Sequence, residues 1–340
     1  MFSFRGTLLT HTGFRTAYLF AEGVSVRRRP PSALFGLAAA VGGLLATAAA
    51  PAAASGAPSP AAPAARTAEQ QVRNFWTPER MRAAKPLDLL KVSPAKVSPA
   101  RAGGPATSVP GTRAFPQKGG AWTGGGAVVK TSGRVFFTYQ GRTASCSGNS
   151  VTSQNKSTVV TAGHCVKMDG AWHTNWVFVP AYNDGATPYG TWSAAKLSAT
   201  DQWTASEDIN YDVGLAVVNP LNGQKLSDVV GAQGVQFNGG YNKPMYAFGF
   251  PAAAPYDGKK LVYCSGNTTK DFLLTKDHGL ACDMTGGSSG GPWFNSFNES
   301  TGTGLQASVN SFGYTFLPGR MFGPYFGNEV KAAYDKAQAG

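Results

Sequence analysis

After Gly119 the chain settles into short β-branched and aromatic runs separated by clusters of Gly, Asn, Asp and Pro. Residues 135–139, 158–161, 176–179, 213–218 and 245–250 are the clearest of these runs. Strands of that length at that spacing predict an all-β antiparallel architecture, a sandwich or a barrel. No helical pattern of consequence interrupts them until Asn328, where Asn is suited to cap a short C-terminal helix ending near Gln338. The strand-rich stretch, about 220 residues, is ample for a hydrophobic core.

The front third has a different texture. Arg27, Arg28 and Arg29 precede an uncharged apolar run over 32–50, and small residues follow to Ala52, Ala53, Ala54 and Ser55. Positive charge, apolar stretch and small residues in that order predict a secretory signal over 1–54, cleaved after Ala54, with Val24 and Val26 as alternative starts. The run approaches the roughly 20 residues of a membrane span, but Ala and Gly dominate it, which favours a removable signal over an anchor. Residues 55–117 are rich in Ala and Pro and contain a tandem repeat of Lys-Val-Ser-Pro-Ala starting at Lys91 and Lys96. Such a stretch buries too little apolar surface to order itself, so it reads as a propeptide or linker. Only 75–81, with Phe75, Trp76 and Met81 beside a helix start, is expected to pack on the folded domain, assigned to 118–340.

The formal net charge of the 340 residues is +12. Residues 1–117 hold 14 Lys and Arg against 4 Asp and Glu, while 118–340 hold 16 against 14. The basic excess therefore belongs to the Ala/Pro segment, and no basic stripe on a folded face argues for nucleic acid. All four cysteines fall in the strand-rich part, and an even number behind an export signal predicts two disulfides. Three pairings are possible; spacing favours Cys146 with Cys165 and Cys264 with Cys282. No Cys-x-x-Cys pair occurs, and Cys165 beside His164 is too little for zinc; no metal ligands are assigned and no cofactor is expected, while calcium binding stays open because the acidic residues form no EF-type loop.

Three motifs stand in order along the strands: Thr161-Ala162-Gly163-His164-Cys165, Tyr211-Asp212-Val213-Gly214-Leu215 and Gly286-Gly287-Ser288-Ser289-Gly290-Gly291-Pro292. Each alone fits an ordinary turn. Together they supply a hydroxyl nucleophile in Ser289, an imidazole to take its proton in His164 and a carboxylate to fix the imidazole tautomer in Asp212. The main-chain N–H groups of Gly287 and Ser289 can face a developing oxyanion where a bulkier turn would obstruct it.

These motifs resemble those of the trypsin/chymotrypsin-type serine peptidases, in the secreted bacterial branch that includes glutamyl endopeptidases. The likeness covers about 118–340 and implies two six-stranded antiparallel β-barrels with the active site between them. It implies a secreted, extracellular endopeptidase made as a precursor, acting on protein or peptide through an acyl-enzyme. A monomer without stable membrane association after signal removal is expected. Ser311, Phe312 and Gly313 are similar to the family's strand that pairs with substrate, with the ring walling the pocket for the side chain before the cut bond; core packing is the equal alternative for Phe312. By count Asp283 matches the pocket-floor carboxylate of members that prefer Arg or Lys, and glutamate specificity would leave Arg320 as the nearby cation. Ser288 replaces the Asp that receives a freed amino terminus in animal members, so activation is expected to come from removal of 55–117, with Arg101, Arg113 or Lys118 as cut sites. A protease-like binding module without activity and an esterase using the same site are the rival readings. His173 and His278 read as solvated loop residues, and the Asn155, Asn267 and Asn298 sequons as incidental.

Overall fold

A computed structural model describes residues 67–91 and 116–339. The signal at 1–54, nearly all of the tandem repeat, and Arg101 and Arg113 lie outside the described residues. Among the described residues no helix is long and apolar enough to cross a membrane.

The first described stretch forms α1 (Ala68–Phe75), α2 (Pro78–Ala83), β1 (Lys85–Pro86) and β2 (Leu90–Lys91). Thr67 and Gln70 close a reciprocal capping box on α1, and Thr77 caps α2 with Pro78 in the first turn. Trp76 and Met81 are buried in a cluster with Phe136, Val177 and Phe250. The Trp76 Nε1–H also donates to the Asn175 carbonyl at 2.6 Å.

β3 (Gln117–Ala121) and α3 (Ala127–Thr131) lead into the first barrel. Its strands are β4 (Ser132–Tyr139), β5 (Arg142–Ser150) and β6 (Thr158–Thr161), and a small hairpin of β7 (Lys167–Met168) and β8 (Ala171–Trp172) follows. β9 (Thr174–Pro180) and β10 (Trp192–Ala199) come next, then α4 (Asp201–Ser206) and β11 (Gly214–Val218). The order β5-β4-β9-β10-β11-β6 closes through pairing of β5 with β6, leaving no free edge among these six. Phe137, Phe178, Trp192 and Leu215 fill the interior, since alternate residues of each strand point inward.

The second half opens with α5 (Leu226–Val230) and β12 (Gly234–Val235). β13 (Pro244–Gly249), β14 (Val262–Asn267), β15 (Thr269–Lys270) and β16 (His278–Ala281) follow. β17 (Pro292–Asn298), β18 (Thr303–Val309), β19 (Phe312–Gly313) and β20 (Arg320–Gly323) complete the strands. They form one sheet ordered β12-β18-β17-β13-β14-β3 and another ordered β15-β16-β20-β19-β2. Cys264 on β14 bonds to Cys282 just past β16 and so ties the two sheets, while Cys146 bonds to Cys165 in the first barrel. Both pairings are those favoured by spacing.

The last helix, α6 (Asn328–Gln338), packs Val330, Ala333 and Ala337 on the first-barrel core. Its cap is Gly327; Asn328 is the first helical residue, and its Oδ1 accepts from Asn238 Nδ2 at 2.9 Å. The short helices α3, α4 and α5 are too brief to leave a periodic signal.

Candidate active site

His164 sits on a single helical turn directly after β6, anchored by its neighbour Cys165. Gly163 is required there, because a Cβ would lie 2.6 Å from the Trp203 ring. Asp212 ends another such turn ahead of β11, and both residues are wholly buried. Asp212 Oδ1 accepts from the His164 main-chain N–H at 2.7 Å, and Oδ2 pairs with His164 Nδ1 at 2.7 Å. Ser311 Oγ donates to the same Oδ2 at 2.6 Å. The carboxylate thereby holds the proton on Nδ1 and leaves Nε2 as the acceptor a general base needs.

Ser289 lies in the turn between Gly287, at φ +92°, and Gly290, at φ +80°. A Cβ on Gly290 would be 2.1 Å from Thr161 Oγ1, so only glycine lets this turn reach the strand that delivers His164. Ser147 on β5 fastens it from the other side. Its main-chain N–H donates to the Ser289 carbonyl at 2.7 Å, its Oγ donates to the Gly287 carbonyl at 2.9 Å, and that Oγ accepts from Phe250 N–H at 2.8 Å. Ser288 Oγ donates to the Thr285 carbonyl at 2.7 Å, while Asn310 Nδ2 holds the Ser288 carbonyl at 2.9 Å and the Phe248 carbonyl at 2.8 Å. Neutral hydrogen bonds thus support the turn that carries Ser289. Ser147 and Asn310 left no sequence signal, being ordinary polar residues on or beside strands.

Ser289 Oγ and His164 Nε2 are both buried without a hydrogen-bond partner. The Gly287 N–H, assigned to the oxyanion, donates to the Leu87 carbonyl at 2.9 Å.

A cavity of about 310 Å³ beside this turn is lined by Leu89, Met284, Gly313, Tyr314, Asp283 and Arg320, among others. Asp283 is exposed, and its Oδ1 accepts from the Tyr256 hydroxyl at 2.6 Å, so the buried floor carboxylate expected for basic specificity is not what it supplies. A count from Ser289 places a residue along the chain but not the direction of its side chain. Arg320 donates to Thr269 Oγ1 at 2.8 Å. Phe312 is buried and stacked on Phe322, with centroids 5.2 Å apart, which makes it a core ring.

His173 and His278 are not solvated loop residues. Both are buried, and burial pushes each down to about 4. His173 stacks on Phe137, and its Nε2 pairs with the His164 carbonyl at 2.9 Å, a bond that fixes the backbone of the turn carrying His164.

A closed antiparallel barrel, a second strand-rich half and a buried Asp–His pair beside a glycine-cradled serine define the trypsin-like serine peptidases, and the chain belongs to that family. The trypsin-like peptidase domain matches residues 146–302. Protease Anisep from Arthrobacter nicotinovorans is 49% identical, with a TM-score of 0.59 over 62% of this chain and 96% of its own. A thermostable serine protease, AL20, from an extremophilic microorganism is 41% identical, with a TM-score of 0.59 over 63% of this chain and 99% of its own. A Glu endopeptidase at 16% identity and a TM-score of 0.53 shares the fold. A curated relative from Bacillus subtilis (strain 168), named an extracellular metalloprotease, is 27% identical over 65% of this chain, and the chain spans 66% of its length.

That last name raises the question of a metal. Among the described residues the group of potential ligands is Cys146, His164 and Cys165. Its two sulfurs are bonded to each other and His164 Nδ1 is paired with Asp212, so these residues do not fit a metal ion.

Proposed function

We propose that the protein is a secreted serine endopeptidase, made as a precursor, that cleaves peptide bonds through an acyl-enzyme on Ser289. His164 takes the Ser289 proton and returns it to the leaving amine, Asp212 orients His164, and the Gly287 and Ser289 N–H groups stabilise the oxyanion. The observation that carries this is the buried contact of His164 Nδ1 with Asp212 Oδ2 at 2.7 Å, which leaves Nε2 buried and unpaired; Ser289 Oγ is likewise buried and unpaired, on a turn whose Gly290 abuts the strand leading to His164. Two disulfides and kinship to proteases, one of them named extracellular, support export. Ser289→Ala or His164→Ala should each lower turnover by about six orders of magnitude, measured on a peptide library with the processed enzyme. A loss of only a few fold would remove these residues from the mechanism. The same library reads the preference of the cavity beside Gly313 and Arg320.

A further inference from the structure

Residues 85–91 lie across this site. β1 runs parallel to β5, with Lys85 opposite Ala144 and Pro86 opposite Ser145, and Leu87 N–H donates to the Ser145 carbonyl at 2.9 Å. The Leu87 carbonyl then accepts from Gly287 N–H at 2.9 Å. Asp88 crosses Gly286 so closely that a Cβ there would lie 3.0 Å from Asp88 Oδ1. Leu89 borders the cavity beside Met284, and Leu90 packs with Ile209 and Phe312. β2 runs parallel to β19, with Leu90 opposite Phe312 and Lys91 opposite Gly313, and Leu90 N–H donates to the Ser311 carbonyl at 3.3 Å.

The direction of this path matters. A substrate to be cut lays the residues before the cut bond along Ser311–Gly313, so those after it leave toward β5. Residues 85–91 run the opposite way, entering along β5 and leaving along β19. In a reversed chain, the nitrogen bonded to the carbonyl in the oxyanion notch points toward the acyl side. It is then beyond the reach of His164 Nε2, which must protonate a leaving amine for the bond to break. The main chain is gripped as a substrate would be, yet it is not poised for cleavage.

We infer that the cleft is a binding site for the segment Lys85-Pro86-Leu87-Asp88-Leu89-Leu90-Lys91, held backwards as a built-in inhibitor, and that extended peptides of this sequence are its ligand class. The inference rests on the peptidase assignment above. Trp76 and Met81, buried upstream, tether the segment, so its local concentration stays high until the tether is lost.

The test uses a fluorophosphonate probe of serine nucleophiles on the full chain. Leu87→Pro with Leu90→Pro removes the two N–H donors that fasten the segment to β5 and β19. Unprocessed wild type should label at Ser289 about tenfold or more slowly than the unprocessed double variant, because only the fraction with an open cleft reacts. Equal rates would overturn the inference. If wild type matured in culture and the variant both fail to label, the peptidase assignment itself falls. Where the double variant does not fold, a synthetic peptide of residues 84–91 is added to matured wild type instead. Competitive inhibition without consumption of the peptide supports the inference, and cleavage of the peptide or absence of inhibition overturns it.

Discussion

Three hydrogen bonds make Ser147 the clamp on the turn of Gly287 and Ser289, the oxyanion turn of the proposed mechanism. Ser147→Ala would strand the buried Gly287 carbonyl and the Phe250 N–H, a loss of about 1–3 kcal/mol for a buried unsatisfied group. The Gly287 amide would lose its fixed aim, and removing one oxyanion donor costs about 10²–10³ in kcat. Kinetics on matured Ser147→Ala should therefore show kcat down by about 10- to 100-fold with KM nearly unchanged. A rise in KM alone would limit Ser147 to substrate binding. His278 makes a prediction about pH. Its side chain is buried among Tyr241 and Tyr325, and burial lowers it from 6.5 to about 4, so the unfolded chain binds its proton first on acidification. Its contribution to stability is complete above pH 6.5 and is lost as pH falls toward 4, by about 3 kcal/mol in all. His278→Phe keeps a ring in the stack and should flatten the fall in Tm across that window; an unchanged slope would assign the acid sensitivity elsewhere. The adjacent Asp277 works in the opposite sense, since burial raises it and stability is lost as pH rises. The buried pairing of His164 with Asp212 and the glycine-flanked turn of Ser289 were legible because each residue sits in a motif whose spacing has a chemical reason. Ser147, Asn310 and the orientation of Asp283 were not, because a side chain's partner across a barrel is set by tertiary register.

The strands were the most legible elements, since β4, β6, β9, β11 and β13 each coincide with a β-branched or aromatic run bounded by turn residues. Helices α1 and α2 carry equally local signals, of which only the start of α2 was legible. Thr77 followed by Pro78 is the helix start expected within 75–81, whereas the capping box of Thr67 with Gln70 lies within an Ala/Pro-rich stretch whose average composition hides it. What the sequence could not show is their destination. β1 and β2 are two residues each, with no periodicity, and exist only because β5 and β19 offer partners. The stability of this portion therefore belongs to its anchors. Trp76 is 4% exposed and hydrogen-bonded through Nε1, and Trp→Ala at such sites costs about 3–5 kcal/mol. Trp76→Ala should leave the barrels folded while backbone amides of 68–87 lose protection in hydrogen exchange. Retained protection would mean that the pairing of β1 and β2 holds the segment without its tether.

At the scale of the molecule, the site belongs to neither half alone. His164 and Asp212 come from the first barrel and Ser289 and Ser311 from the second half; Ser311 to Asp212 and Ser147 to Ser289, Gly287 and Phe250 are among the bonds that join them. Each half is also closed on itself by one disulfide, spanning 19 residues in the first and 18 in the second. Loops of that size are worth about 3 kcal/mol each by the chain-entropy account. For a domain of this size about 2–4 °C accompanies each kcal/mol, so reducing both bonds should lower Tm by about 12–24 °C in calorimetry. On the proposed mechanism the two bonds differ for activity, because Cys165 is bonded in sequence to His164 and Cys282 is not adjacent to His164, Asp212 or Ser289. Cys146→Ala with Cys165→Ala should cost both stability and kcat, whereas Cys264→Ala with Cys282→Ala should cost stability while kcat at temperatures well below Tm is largely kept. If both pairs of substitutions lower kcat alike at such temperatures, the halves are coupled more tightly than the hydrogen bonds of Ser147 and Ser311 require, and the second disulfide acts on His164 and Asp212 through the loop that carries Ser289.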